Sequence, residues 1–182
     1  MTWQEMIDRY YPEGSRLRDI YMAHCRSVAD LALEINRRKG LGLDQAAVEE
    51  AAMLHDIGIF MCDAPDIECH GDEPYIRHGV LGAALLRSDG LGEDCARVAE
   101  RHTGAGLSRE DIARQHLPLD PDGDYMPLSV LERLVCYADK FYSKSGDMQR
   151  KPLEKVIRSM QRLSPETLER FMALHREFGE QE

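Results

Sequence analysis

The sequence predicts an all-α protein, and three observations carry that reading. Apolar residues recur at steps of three and four almost throughout, no stretch sustains a period-2 alternation rich in β-branched residues, and Ser, Asp, Gly and Pro punctuate the periodic runs as helix starts and stops. The first helix is expected over residues 15–38, where Leu17, Tyr21, Val28, Leu31 and Ile35 form a stripe interrupted by His24. Gly40 and Gly42 end it. Asp44 caps a second helix whose stripe runs from Val48, Ala51 and Ala52 to Ile59, with His55 on that stripe. Residues 60–74 hold Pro65, Gly71 and Pro74 and read as a loop longer than most connections, a length that often marks a functional segment. Helices follow over residues 75–88, with His78, Leu81 and Leu85 in line, and over residues 93–102, with Cys95, Val98 and Ala99 inward. Gly104 and Gly106 stop the second of these. A short helix over residues 108–115 and a Pro- and Asp-rich turn over residues 117–127 lead to a strong helix over residues 128–142. Its inward residues are Leu131, Val135, Ala138 and Tyr142, with Asp139 beside them. Helices over residues 151–163 and 165–178 finish the chain, the last capped by Ser164 with Pro165 at its first position.

Composition narrows the class. The chain has 182 residues, of which 43% are hydrophobic and 31% charged, the profile of a single domain over residues 1–182 with a motif-bearing core at 15–145 and C-terminal helices at 150–180. A chain of this length buries roughly 70% of its unfolded surface, so it has no need of a metal as a staple. Any metal it binds is free to be functional. The balance of 23 basic against 33 acidic residues leaves a net charge of −10, a field that repels nucleic acid and anionic membrane surfaces. A small or metal-bridged ligand is expected instead, with no nucleic-acid and no membrane partner. The apolar runs fall far short of the roughly 20 residues that cross a bilayer. The N-terminus has neither the basic start nor the apolar segment of a signal peptide, and the 5 cysteines form no CxxC pair, so a cytoplasmic protein with reduced thiols is expected.

Polar residues at core-facing helical positions are the informative exceptions, because an ionisable group buried without a partner costs several kcal/mol or is forced neutral. Six such residues stand out: His24, His55, Asp56, His78, His102 and Asp139. Apart from the adjacent pair, their separations each fit a helix, a loop and part of a neighbouring helix, which lets several helices present one residue each to a common point. One such histidine alone is more often a hydrogen-bonded core residue. Four imidazoles and two carboxylates together make chemical sense around divalent cations, which satisfy the buried groups and offset the carboxylate charge. Nitrogen and oxygen ligands without thiolate favour Fe, Mn, Co, Ni or Zn, and Mg less with so many histidines. Asp56 adds a second argument: it falls near the negative end of a helix dipole, where a carboxylate is disfavoured unless a cation joins it.

His24, then His55-Asp56 within His55-Asp56-Ile57-Gly58, then Asp139 within Tyr137-Ala138-Asp139-Lys140, resemble the H…HD…D signature of the HD superfamily of metal-dependent phosphohydrolases, in its HDIG branch. The resemblance covers about residues 20–142. It implies an all-α HD-domain helical bundle with the metal site in a central cleft, and hydrolysis of phosphoester or phosphoanhydride bonds. His78 in Arg77-His78-Gly79 and His102 in Arg101-His102-Thr103 match the two further histidines of dinuclear members, such as the bacterial symmetrical diadenosine tetraphosphate hydrolases. By that likeness His24, His55, Asp56 and Asp139 hold one ion, while Asp56 bridges to a second held by His78 and His102. No GYP motif follows Asp139, so the likeness does not extend to the cyclic-di-GMP phosphodiesterases.

A pair of such ions is expected to activate a water as hydroxide and to clamp the attacking and leaving oxygens of an in-line displacement at phosphorus. Asp56 would orient that nucleophile, and Lys140, Arg77 and Arg101, each beside a ligand, could neutralise charge on the phosphate. The substrate is expected to be a small phosphorylated molecule of the nucleotide or dinucleoside polyphosphate kind. Two other readings share the ligand set: a di-iron oxygenase, and a non-catalytic nucleotide sensor. Cys62, Cys69 and His70 lack a fourth ligand at zinc spacing and read as free thiols beside a pocket-lining or surface histidine. Asp120, Asp122 and Asp124 imitate the start of an EF-hand loop but lack its glycine and closing glutamate, so they read as a turn. Arg150, Lys151, Lys155, Arg158 and Arg162 read as a solvated basic strip, and the oligomeric state is left open.

Overall fold

A computed structural model describes residues 1–180. Among them nine α-helices account for most of the chain: α1 (Trp3–Tyr10), α2 (Arg16–Lys39), α3 (Gln45–Leu54), α4 (His78–Ser88), α5 (Glu93–Arg101), α6 (Arg109–Gln115), α7 (Val130–Asp139), α8 (Leu153–Leu163) and α9 (Pro165–Phe178). The fold is all-α in its architecture, as expected. No helix among the described residues is long and apolar enough to cross a membrane.

The helix starts are written in side chains. Ser15, Asp44, Ser108, Ser129 and Ser164 each accept a hydrogen bond from the backbone N–H three residues on, satisfying one of the donors that a helix start leaves orphaned. Gly40 ends α2 in the left-handed region, with φ of 61°. Helix α1 has no counterpart among the expected elements, although Thr2 and Glu5 form the reciprocal capping box that announces it.

Two expectations are corrected by the structure. The stretch expected as a loop at residues 60–74 instead carries a small three-stranded sheet and two single-turn 3-10 segments, Ile59–Met61 and Pro65–Ile67. β1 (Cys62–Ala64) pairs antiparallel with β2 (Cys69–His70) and parallel with β3 (Glu73–Pro74). Strands of two or three residues are too short for alternation to register in sequence. Helix α3 also stops earlier than its apolar stripe suggests, at Leu54, so His55 caps it and Asp56 lies beyond it.

Helices α2, α3, α5 and α7 pack on one another as the centre of the bundle. α4 lies along α5, α1 reaches α3, and the α8–α9 hairpin docks on α7. Val28, Ile35, Leu54, Ile57, Leu134 and Phe171 are among the side chains fully removed from solvent in the shared core. Tyr11 and Tyr21 extend this core with purpose. Their hydroxyls donate to the carbonyls of Ile57 (3.0 Å) and Met53 (2.6 Å), holding from below the turn that carries His55 and Asp56.

The same turn fits against α4 only because residue 58 is glycine. A Cβ there would stand 2.4 Å from the His78 carbonyl oxygen and 2.5 Å from the Gly82 nitrogen, both backbone atoms that cannot swing aside. Gly58→Ala should therefore destabilise the fold by about 3 kcal/mol and lower the melting temperature by about 6–12 °C. A melt indistinguishable from the parent chain would overturn this account of the Asp56–His78 approach.

Candidate metal centre

Five of the six expected ligands sit at or just past helix termini rather than on helix faces. His55 caps α3 and Asp56 follows it, His78 opens α4, His102 caps α5, and Asp139 is the last residue of α7. His24 alone comes from mid-helix, in α2. The carboxyl ends of α3, α5 and α7 thus meet at one place, and their partial negative charge favours a cation there. All six side chains are buried, with Asp139, the most accessible, at 8% exposure.

The geometry divides them into two groups. His24, His55, Asp56 and Asp139 bring one ligand atom each to a common point, and so do Asp56, His78 and His102. Asp56 belongs to both. Its Oδ2 lies 3.1 Å from Nε2 of His24 and 3.1 Å from Nε2 of His55, while its Oδ1 lies 3.4 Å from Nε2 of His78 and 3.3 Å from Nε2 of His102. Asp139 Oδ1 closes the first group at 3.0 Å from His24 and 3.4 Å from His55.

Three of the imidazoles are set in one orientation by the backbone. Nδ1 of His55, His78 and His102 lies 2.6, 2.6 and 2.8 Å from the carbonyl oxygen three residues earlier, at Ala52, Tyr75 and Ala99. A carbonyl only accepts, so each Nδ1 carries a proton, and in neutral His78 and His102 this leaves the Nε2 lone pair turned to the centre. The pair at His78 and His102 shows the consequence, since their Nε2 atoms face each other at 3.0 Å with no proton to share. Burial, reinforced by the neighbouring imidazole, pushes His78 down to about 3, and burial also lowers His102, so both are neutral ligands.

The first group is poised differently. Burial alone would push the Asp56 and Asp139 carboxyls up, yet His55 and Lys144 around Asp56, and Lys140 around Asp139, hold both well below the usual carboxylate range. The carboxylates in turn overcome the burial of His55 and hold it well above its ordinary value. A cluster that draws protons and ammonium groups inward is short of positive charge. Both nitrogens of His24, Nε2 of His55 and both oxygens of Asp56 have no well-formed hydrogen bond among the described residues, although they are buried. Orphaned buried polar atoms of this kind cost several kcal/mol unless something meets them. Divalent cations fit both groups, with nitrogen and carboxylate donors and no thiolate.

The flanking cations fall into place unevenly. Lys140 is at the centre, donating to the His102 carbonyl at 2.8 Å and standing 2.7 Å from Asp139 Oδ2. Arg77 is instead paired with Glu73 (2.6 Å), and Arg101 with Glu132 (3.0 Å), and neither lines the cavity above the cluster. The cation that sequence reasoning missed is Lys144, whose Nζ lies 2.7 Å from Asp56 Oδ2. Burial opposes its charge, but Asp56, Tyr75 and Asp139 hold its pKa well above the usual lysine value. Tyr75 was also missed. Its ring stacks on His78, with centroids 4.6 Å apart, and sets the plane of that ligand.

The weaker sequence signals resolve simply. His70 is exposed on β2, 3.8 Å from Glu68, away from the cavity. All five cysteines are free and buried, and burial pushes Cys62 to about 11 and Cys69 to about 12. Asp120 and Asp124 accept from the backbone of Asp122 and Met126, which makes their stretch a hydrogen-bonded turn.

The HD domain family profile matches residues 21–143, a span that contains all six clustered residues. The chain belongs to the HD domain family. Among similar proteins, an uncharacterized protein of Methanocaldococcus jannaschii is 37% identical over 119 residues, covering 64% of this HD-domain chain and 62% of the relative. Two proteins named tRNA (cytidine(56)-2'-O)-methyltransferase are each 29% identical. The one from Thermoplasma volcanium aligns over 95% of this chain and 45% of its own length, and the one from Picrophilus torridus over 69% and 32%. The HD-domain chain therefore spans from about a third to under two thirds of these curated relatives. No solved structure matches it.

Proposed function

We propose that this HD-domain chain is a metal-dependent phosphohydrolase that cleaves a phosphoester or phosphoanhydride bond of a small phosphorylated substrate, of the nucleotide or dinucleoside polyphosphate class. The observation that carries the reading is the doubled ligand set sharing Asp56, lying beneath a cavity whose cations are lysines. Divalent ions bound there supply Lewis acidity, lowering the pKa of a water and offsetting charge on phosphate. Asp56, with one oxygen turned to each group, holds the two positions in register. Lys140 ties Asp139 to the His102 backbone and so couples one ligand from each group. The reaction needs only water as co-reactant: its oxygen bonds to phosphorus, the bond to the leaving oxygen breaks, and that oxygen takes the proton.

The cavity has a volume of about 480 Å³ and adjoins the centre at Asp139 and Lys140. Pro65, Ile67, Met160 and Leu163 give it an apolar wall. That wall suits the organic part of a substrate whose phosphate faces the lysines. The net charge of −10 supports a small anion drawn into one local cationic pocket over a polyanion spread on the surface. Methyl transfer to tRNA is named for two relatives, of which the aligned regions are 45% and 32%. It has no counterpart in the chemistry of this cluster. The lysines also favour a phosphate over the substrate of a di-iron oxygenase.

The test is elemental content of the purified protein, followed by phosphate release from nucleotides, dinucleoside polyphosphates and sugar phosphates with Mn²⁺, Fe²⁺, Co²⁺ or Ni²⁺ under anaerobic conditions. Turnover without dioxygen supports the hydrolase; dioxygen-dependent turnover would favour the oxygenase, and tight nucleotide binding without turnover a sensor. Metal should also stabilise the fold. An ion at 100 times its Kd adds about 2.7 kcal/mol, or about 5–11 °C for a chain of this size, and a chelator should reverse the gain.

A further inference from the structure

Three lysines line the cavity in a chain whose net charge is −10. All three come from the segment between the end of α7 and the start of α8. Lys140 is committed, holding the His102 carbonyl and Asp139. Lys151 is half-buried, lines the cavity and forms no ion pair with the described residues, while its backbone N–H donates to the Phe141 carbonyl at 2.8 Å and fixes where its side chain starts.

Lys144 is the informative one. Its side chain is 14% exposed, its Nζ is 2.7 Å from Asp56 Oδ2, and it stands 5.9 Å from the centre of the Tyr75 ring. That same carboxylate oxygen is the one met by His24 and His55, so the ammonium shares an oxygen with the first group of metal ligands. Two cations on one oxygen repel each other strongly in a buried site. The ammonium is a point charge on a flexible four-carbon stem, whereas His24 and His55 are held by their helix positions. Lys144 is therefore the group with freedom to move, and the cavity it already lines is the open direction.

We propose that Lys144 and Lys151 form the phosphate-holding subsite of the cavity, with Lys144 leaving Asp56 for the substrate phosphate once divalent ions take over the Asp56 charge. The inference rests on the metal-dependent phosphohydrolase reading and names the residues that position its anionic group. Before loading, the Lys144 ammonium faces the buried Asp56 carboxylate at 2.7 Å. After loading, the same charge becomes available to an anion beside the ions, so metal and phosphate binding are coupled.

The test is calorimetric titration of the full chain, first with Mn²⁺ and then of the Mn²⁺-loaded protein with inorganic phosphate. In Lys144→Met the affinity for Mn²⁺ should rise severalfold, because the competing cation is gone, while phosphate should bind tenfold or more weakly. In Lys151→Met, phosphate binding should weaken to a similar degree with Mn²⁺ affinity unchanged. Lys144→Arg should restore part of the phosphate affinity, and Lys151→Met stays informative if Lys144→Met folds poorly. Phosphate binding in both methionine variants equal to that of the parent chain would overturn the subsite while leaving the hydrolase reading intact. Failure of the parent chain to bind any of Mn²⁺, Fe²⁺, Co²⁺ or Ni²⁺ would overturn that reading, and the subsite with it.

Discussion

Asp56→Ala should abolish binding at both metal positions and reduce phosphate release on the order of a thousandfold or more. The expectation comes from geometry. Asp56 is the one residue common to the two ligand groups, with Oδ2 turned to His24 and His55 and Oδ1 to His78 and His102. Removing any other ligand leaves one of the two groups whole. The substitution also strands the Lys144 ammonium, and an uncompensated buried charge costs about 3–5 kcal/mol. Asp56→Asn, which keeps the volume and removes the charge, therefore belongs beside it. Elemental analysis and turnover should show the same loss in both variants, with circular dichroism reporting that the helices persist. Retention of two equivalents of metal by Asp56→Asn would remove the bridging role.

His78→Ala and His102→Ala should behave differently from changes at His24 or Asp139. Each histidine variant takes away half the imidazoles of the second group and nothing from the first, so metal content should fall from two equivalents to one. Turnover should drop by roughly 100- to 1000-fold, because the intact first group would hold one ion, which would supply Lewis acidity without the joint action of two. The thermal gain on adding metal should shrink without vanishing. In His24→Ala the weakened position is the first. Titration with Mn²⁺ reads the difference directly as stoichiometry and affinity. Unchanged stoichiometry in both second-group variants would reduce the centre to one ion at His24, His55, Asp56 and Asp139.

Helix periodicity and end signals were legible in the sequence because both are local. The stripe of α2, the Ser164-Pro165 start of α9 and the Gly40 stop each depend on residues within a few positions of one another. The identity of the clustered side chains was legible too, since four histidines and two aspartates stand where a core would ordinarily hold apolar residues. Tertiary structure alone decided the rest. The sequence already placed Asp56 and His102 near helix carboxyl ends, but that the ends of α3, α5 and α7 meet at one point is set by where neighbouring helices cross, which no local pattern encodes. The split of the two Asp56 oxygens follows from the same packing.

Lys144 is the clearest case. In Asp139-Lys140-Phe141-Tyr142-Ser143-Lys144 only adjacency to Asp139 sets one lysine apart, and it points to Lys140. The chain leaves α7 and turns back over the centre, bringing Lys144 to Asp56, 88 positions earlier in sequence. Arg77 and Arg101, equally close to ligands in sequence, were taken instead by Glu73 and Glu132. Sequence determined which groups had to be reconciled with burial; packing determined which of them share a point, because a contact between distant residues depends on helix crossings and loop returns rather than on spacing.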